Sequence, residues 1–160
     1  MEAMSDTLIE TGAKAPDFTL PRDGGGTVSL ADYAGKPVVL FFYPKASTPG
    51  CTTEARDFTA LLGEFEAAGA VVLGCSKDSV KRQENFAAKQ ELAIPLLSDA
   101  EGDVCERYGV WAEKKNYGRT YMGIVRTTYL IAPDGTVARV WPKVKVAGHA
   151  QEVLGEVRAL

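Results

Sequence analysis

Apolar and polar positions change period several times along this chain, and the changes mark its elements. PVVLFFY, residues 37–43, is an unbroken apolar run of strand-forming side chains, the pattern of a strand covered on both faces. AVVLGCS, residues 70–76, repeats that pattern. Between them, TTEARDFTALLGEFEAAG carries apolar residues at Phe58, Leu61, Leu62 and Phe65, which is helical spacing, and Gly69 stands where a C-terminal cap belongs. DSVKRQENFAAKQEL predicts a second helix with Asp78 or Ser79 as its N-cap, IPLLSD an extended piece, GDVCERYGV a short helix and HAQEVLGEVRAL a closing helix. FTLPRDGGGTVSL predicts two short strands around a Gly-rich turn, and TTYLIAPDGTVARVW a hairpin turning at Asp134-Gly135.

Strand–helix–strand–helix–strand–helix followed by a hairpin and a helix is the order of an α/β protein, with a mixed central sheet and helices on both faces. In a right-handed β-α-β unit the two parallel strands end at one shared edge, and ligand sites on such sheets lie there. Cys51 follows the first buried strand at that edge, and Cys75 stands near the end of the second.

Composition changes this picture mainly by exclusion. The 160 residues fit one domain over 1–160, and 46% hydrophobic with 24% charged residues is ordinary for a soluble globular chain. A net charge of −3 argues against nucleic acid or an acidic membrane surface as main partner. No apolar run approaches the roughly 20 residues that span a bilayer. The opening MEAMSDTLIETG has neither the basic start nor the apolar core of a signal peptide, so a cytoplasmic protein is expected. The three cysteines, Cys51, Cys75 and Cys105, form no C-x-x-C pair, which argues against a disulfide framework and against a thiol-disulfide carrier. With only His149 to add, they do not supply the four ligands of a structural zinc.

The chemistry concentrates in FFYPKASTPGCTTEARDF, residues 41–58. A thiol with its ordinary pKa of ~8.5 is mostly protonated at neutral pH and is a poor nucleophile until something favours its anion. Cys51 stands where the helical pattern begins, where unpaired N–H groups and the helix dipole favour negative charge. Pro49 fixes its own φ and disfavours helix at Thr48, setting the helix start. Gly50 lets backbone approach whatever the sulfur attacks, Thr48 offers a hydroxyl that donates and accepts, and Pro44 breaks the strand without an N–H of its own. The bland alternative is an inert cysteine at a helix cap, which has no need of this Pro, Thr and Gly.

The spacing Pro44-x-x-x-Thr48-x-x-Cys51 resembles the peroxiredoxin signature P-x-x-x-T/S-x-x-C. GKPVVLFFYPKASTPGCTTE, LLSDAEGDVCERYGVW and YMGIVRTTYLIAPDG are similar to the bacterioferritin comigratory protein, or peroxiredoxin Q, branch of that family over nearly the whole chain. The resemblance implies a thioredoxin-like fold, reduction of hydrogen peroxide and organic hydroperoxides without metal or organic cofactor, and a monomer. It implies that Cys51 is the peroxidatic cysteine, with Pro44 and Thr48 around it. Arg126, in IVRTTYLI, matches the arginine that completes the site in this family.

The resemblance also exposes a departure. Many members of the branch carry a resolving cysteine five residues after the peroxidatic one, where this chain has Arg56; others carry it on the next helix, aligned with Ala87. Both positions lack sulfur. A one-cysteine cycle is therefore expected, in which thioredoxin, glutaredoxin or glutathione reduces the Cys51 sulfenic acid. An internal disulfide of Cys51 with Cys75 or Cys105 is the open alternative, although VVLGCS also reads simply as core. A redox sensor or holdase on the same scaffold is a second reading, which a fold cannot exclude. Among lesser residues, Glu54 suits a first helical turn or an active-site role, Lys45 a solvated loop, and His149 a cap or surface position, while Trp111 and Tyr117 suit a pocket rim.

Overall fold

The computed structural model describes residues 8–160, so the first seven residues of the stretch read as lacking a signal peptide lie outside the described residues. Two short antiparallel strands, β1 (Thr19–Pro21) and β2 (Thr27–Ser29), flank the Gly-rich turn, and a 3₁₀ turn at Leu30–Tyr33 follows. The first apolar run is β3 (Val38–Phe42), buried at every position. The helical stretch after it is two helices rather than one, α1 (Pro49–Ala60) and α2 (Leu62–Ala67), joined at Leu61. Next come β4 (Val71–Ser76), α3 (Val80–Gln90), β5 (Leu96–Ser98) and the single-turn α4 (Val104–Arg107). A hairpin, β6 (Trp111–Asn116) and β7 (Arg119–Ile124), precedes β8 (Thr127–Ile131), β9 (Val137–Trp141) and α5 (His149–Arg158).

Five strands form the central sheet in the order β5-β4-β3-β8-β9, with β3, β4 and β5 parallel and β8 antiparallel to both its neighbours. Alternation along the strands divides the core in two. Val39 and Phe41 of β3, followed by Tyr43, face a cluster shared with α1, α2, α3 and α5, whereas Val38, Leu40 and Phe42 face a cluster shared with α4 and the β1–β2 hairpin. Helices thus cover both faces, as the order of elements predicts.

Gly74 of β4 explains how α1 is seated. A Cβ there would lie 2.9 Å from the Phe41 ring, so the missing side chain makes room for that ring. Phe41 then stacks on Phe58 of α1, centroids 4.6 Å apart. Both rings are fully buried, and removal of such a ring typically costs ~3–5 kcal/mol. This contact holds the helix that carries Cys51 against the end of β3.

The β6–β7 hairpin is the element that the hydrophobic pattern did not announce. Most of its positions are exposed or half-exposed, so neither strand has an apolar face to read.

Candidate active site

The site is built where β3 ends. Because β8 runs antiparallel to β3, with Phe42 opposite Thr127, the residue just ahead of β8 arrives beside the residues just after β3. That residue is Arg126. It lies one position before the strand rather than within it.

Thr48 is the N-cap of α1, with an extended backbone, and Pro49 is its first residue, as the constraint of a proline at that point dictates. Cys51 therefore sits in the first helical turn, where N–H groups lack intrahelical partners. Its side chain is almost wholly buried, and Arg126 Nη2 donates to its Sγ at 3.4 Å. Gly50 acts sterically here: a Cβ would stand 3.1 Å from Arg126 Nη2, so glycine leaves the guanidinium its place. Pro44 follows the last buried ring of the strand run and lines a cleft beside the site.

Thr48 departs from the simplest expectation. Its hydroxyl donates to the Lys45 carbonyl at 2.7 Å, so its proton is committed and its lone pairs remain to accept. The loop between the two prolines is further pinned by Ala46, whose N–H donates to Asp78 Oδ2 at 2.7 Å. Asp78 also accepts from the Ser76 hydroxyl, and Gln83 joins Ser76 to Tyr43. The N-cap of α3 is Ser79, which frees Asp78 for this work.

Glu54 is the site residue whose role the sequence left open. One turn along α1 from Cys51, its Oε1 accepts from Arg126 Nη1 at 2.7 Å. Oε2 has no hydrogen-bond partner among the described residues, although the side chain is only 1% exposed. Burial pushes this carboxyl up to about 7, with Arg126 opposing the rise. Desolvation works against the Arg126 charge too, but the neighbouring Glu54 and Cys51 leave it raised. Spacing was the available signal: residues three apart on a helix share a face. Lys114 of β6 was not read at all. Burial, with the Arg126 charge behind it, lowers its pKa, and Cys51 opposes the fall.

Three other residues fall elsewhere than expected or are split between expectations. His149 is the first residue of α5, but it is a buried core histidine rather than a cap or surface residue. Its Nε2 shares a 2.8 Å hydrogen bond with Thr128 Oγ1, it packs edge-on against Phe58 and Trp141, and burial lowers its pKa to about 4. Trp111 lines the cleft beside Pro44, with Lys77 over its ring, whereas Tyr117 is 95% exposed at the tip of the β6–β7 hairpin.

The other two thiols are on the far side of the sheet. Cys75 alternates with Gly74 and Ser76 and so points into the α4 cluster, where it meets Cys105. Both are fully buried and free. The hydrogen bond with Cys75 is the largest cause, ahead of burial, that holds Cys105 protonated far above the ordinary thiol range. Sharing a sheet edge with Cys51 does not bring Cys75 to it, because the sheet lies between their side chains.

A fold of this kind with a cysteine, an arginine and a proline–threonine loop at the strand edge defines a class, and comparison with known proteins agrees. Residues 11–140 match the AhpC/TSA family. The chain is 49% identical to Peroxiredoxin Bcp of Xanthomonas campestris pv. campestris over 98% of both chains. It is 49% identical to Peroxiredoxin Bcp of Bacillus subtilis over 91% of this chain and 93% of that one. A solved structure of the Xanthomonas campestris bacterioferritin comigratory protein, studied for alkyl peroxide reduction, superposes with a TM-score of 0.87 at 47% identity, covering 94% of this chain and 98% of that one.

The chain belongs to the AhpC/TSA family of thiol peroxidases. Within it, the relatives are those of the bacterioferritin comigratory protein, or peroxiredoxin Q, branch, and the fold is thioredoxin-like.

Proposed function

We propose that Cys51 is the peroxidatic residue of this thiol peroxidase and that Arg126, Thr48 and Pro44 complete its site. The observation that carries the reading is the Arg126 guanidinium 3.4 Å from Cys51 Sγ at the start of α1. The thiolate attacks the terminal oxygen of ROOH in line with the O–O bond. An S–O bond forms, the O–O bond breaks, and the proton stays on the transferred oxygen as Cys51–SOH. The leaving RO⁻ takes a proton from water. Arg126 and the first-turn N–H groups of α1 face the charge as it develops. Thr48, its own proton given to Lys45, accepts from the O–H of the hydroperoxide and so orients the bond to be broken. Pro44 closes that side without a competing donor.

Recycling by a one-cysteine route fits the burial of Cys75 and Cys105 on the opposite face. An outside thiol, from thioredoxin, glutaredoxin or glutathione, attacks the sulfenic acid and expels water, and a second thiol releases the mixed disulfide. We take the working unit to be a monomer of one domain. A reducing compartment, the cytoplasm, suits a peroxidase recycled by an outside thiol. One equivalent of hydrogen peroxide, added to the reduced protein without other thiols, tests the scheme by mass. Oxygen gained on Cys51 with the other two thiols free is expected. Loss of two hydrogens in a disulfide from Cys51 to either partner would overturn the one-cysteine route.

A further inference from the structure

The loop that joins β3 to α1 is held in a shape it would not keep alone. Ser47 has a φ of 68°, in the left-handed region that a residue with a Cβ rarely adopts, so the surrounding contacts must over-determine it. Two of those contacts meet at one peptide group, the one between Lys45 and Ala46. Its N–H donates to Asp78 Oδ2 at 2.7 Å, and its C=O accepts from the Thr48 hydroxyl at 2.7 Å. Asp78 stands between β4 and α3 and is itself fixed from two strands. The Ser76 hydroxyl donates to the same Oδ2 at 2.6 Å, the Asp78 N–H donates back to Ser76 Oγ at 3.2 Å, and the Ser98 hydroxyl donates to the Asp78 carbonyl at 2.6 Å. The ordinary task of an aspartate at this place, capping the helix, is done by Ser79, whose Oγ accepts from the Arg82 N–H at 3.2 Å.

We infer that Asp78 is a positioning residue of the peroxide site: by clamping the Lys45–Ala46 peptide it fixes the Thr48 hydroxyl as an acceptor for the O–H of the hydroperoxide. The inference rests on the peroxidase reading and on the accepting role given there to Thr48. The physical route is short. The N–H and C=O of a trans peptide point in opposite directions, so the carboxylate that holds the N–H also aims the C=O at Thr48. A charged acceptor on the N–H polarises the group and makes its carbonyl the stronger acceptor. The Thr48 side chain makes no capping bond to α1, so among the described residues the Lys45 carbonyl is what fixes its proton. Without Asp78 the peptide is free to turn over. The Thr48 hydroxyl then loses its acceptor and meets the peroxide with either its proton or a lone pair. Orientation of the peroxide suffers and activation of the thiol does not, because the bonds of Arg126 to Cys51 and Glu54 do not involve Asp78.

Two reactions of Cys51 separate orientation from activation. Oxidation by hydrogen peroxide, followed by rapid mixing, needs both. Alkylation by iodoacetamide, followed by the mass of the Cys51 peptide, needs the thiolate and no hydroperoxide. Asp78→Ala should slow oxidation by ~10–10²-fold, the usual cost of a misplaced reacting group, and leave alkylation within about twofold. Asp78→Asn keeps an oxygen for Ala46 and Ser76 and should restore most of the oxidation rate. Asp78→Ser keeps a hydroxyl beside Ser76 but falls one bond short of Ala46, so it should repeat the loss even where Asp78→Ala does not fold. In a Thr48→Val background the Asp78 substitution should cost oxidation nothing further, whereas beside Arg126→Met it should cost its full factor. Four results would overturn this inference alone: oxidation at the parent rate in Asp78→Ser, equal losses in oxidation and alkylation, a loss in Asp78→Asn as large as in Asp78→Ala, or full additivity with Thr48→Val. Oxidation of Thr48→Val at the parent rate would overturn the accepting role of Thr48 and this inference with it. Failure of hydrogen peroxide to oxidise Cys51 at all would overturn the peroxidase reading itself.

Discussion

The two faces of one sheet treat the same functional group in opposite ways. On one face, Cys51 is buried yet set in a helix's first turn with a guanidinium 3.4 Å from its sulfur. On the other, Cys75 and Cys105 are buried with each other, beside the carboxylate of Asp99, which accepts from the Cys105 N–H at 2.8 Å. All three thiols are nearly inaccessible, so exposure does not separate them. What separates them is what each sulfur meets: Arg126 donates to Cys51 Sγ, whereas Cys105 is held protonated by its hydrogen bond with Cys75 and by burial, with Asp99 adding to both.

The sharpest way to break that comparison is to remove each sulfur in turn. Cys51→Ser should lose all turnover of hydrogen peroxide, while Cys75→Ala and Cys105→Ala should turn over as the unaltered protein does and lose only stability, on the order of 1 kcal/mol for the small cavity left. Activity lost equally in all three would mean that the far face takes part in the cycle.

Next comes the cation itself. Arg126→Met should slow the oxidation of Cys51, followed by rapid mixing with hydrogen peroxide, by ~10²–10³-fold, the usual cost of one donor to developing charge. A rate within a few-fold of the parent would move the source of activation to the helix start alone.

Glu54 and His149 sharpen the contrast through pH. Glu54 is raised by burial from 4.5 to about 7, so the folded state holds a proton that the unfolded state has lost, and its contribution to stability falls as pH rises through that window. His149 is lowered from 6.5 to about 4, so the unfolded state binds the extra proton, and its contribution rises with pH over nearly the same window. The two trends oppose one another in the parent protein. In Glu54→Gln the histidine acts alone, and the unfolding free energy should gain roughly 3 kcal/mol on the parent between pH 4.5 and 7. Urea midpoints across that range read it, and a constant difference between the two proteins would show that Glu54 keeps its ordinary acidity.

Gly50→Ala should have the smallest catalytic effect. The new Cβ meets Arg126 Nη2 at 3.1 Å, and because Glu54 holds that guanidinium it must shift by a few tenths of an ångström. About a tenfold loss in the oxidation rate is expected. A larger loss, accompanied by a changed unfolding midpoint, would mean that the helix start itself had moved.

Local patterns made much of this protein legible. Unbroken apolar runs marked β3 and β4, and helical spacing marked α3 and α5. Proline at residue 49 told where α1 begins, because a fixed φ and a missing N–H act on the nearest neighbours alone. The β6–β7 hairpin was not legible, since its strands bury almost nothing and so leave no apolar period. Nor was the burial of His149, which depends on Phe58, Thr128 and Trp141 arriving from three other elements.

The sequence by itself determined that a thiol stands at the mouth of a helix, after a strand and behind a Pro-Gly pair, and that Arg56 and Ala87 stand where the family resemblance puts a second sulfur. Only the tertiary structure decided what surrounds that thiol. Arg126 reaches Glu54 across 72 positions of sequence because β8 pairs antiparallel with β3 in one particular register. A shift of one residue in a strand turns every side chain to the other face. That same parity sends Cys75 away from Cys51, a fact that no local propensity contains.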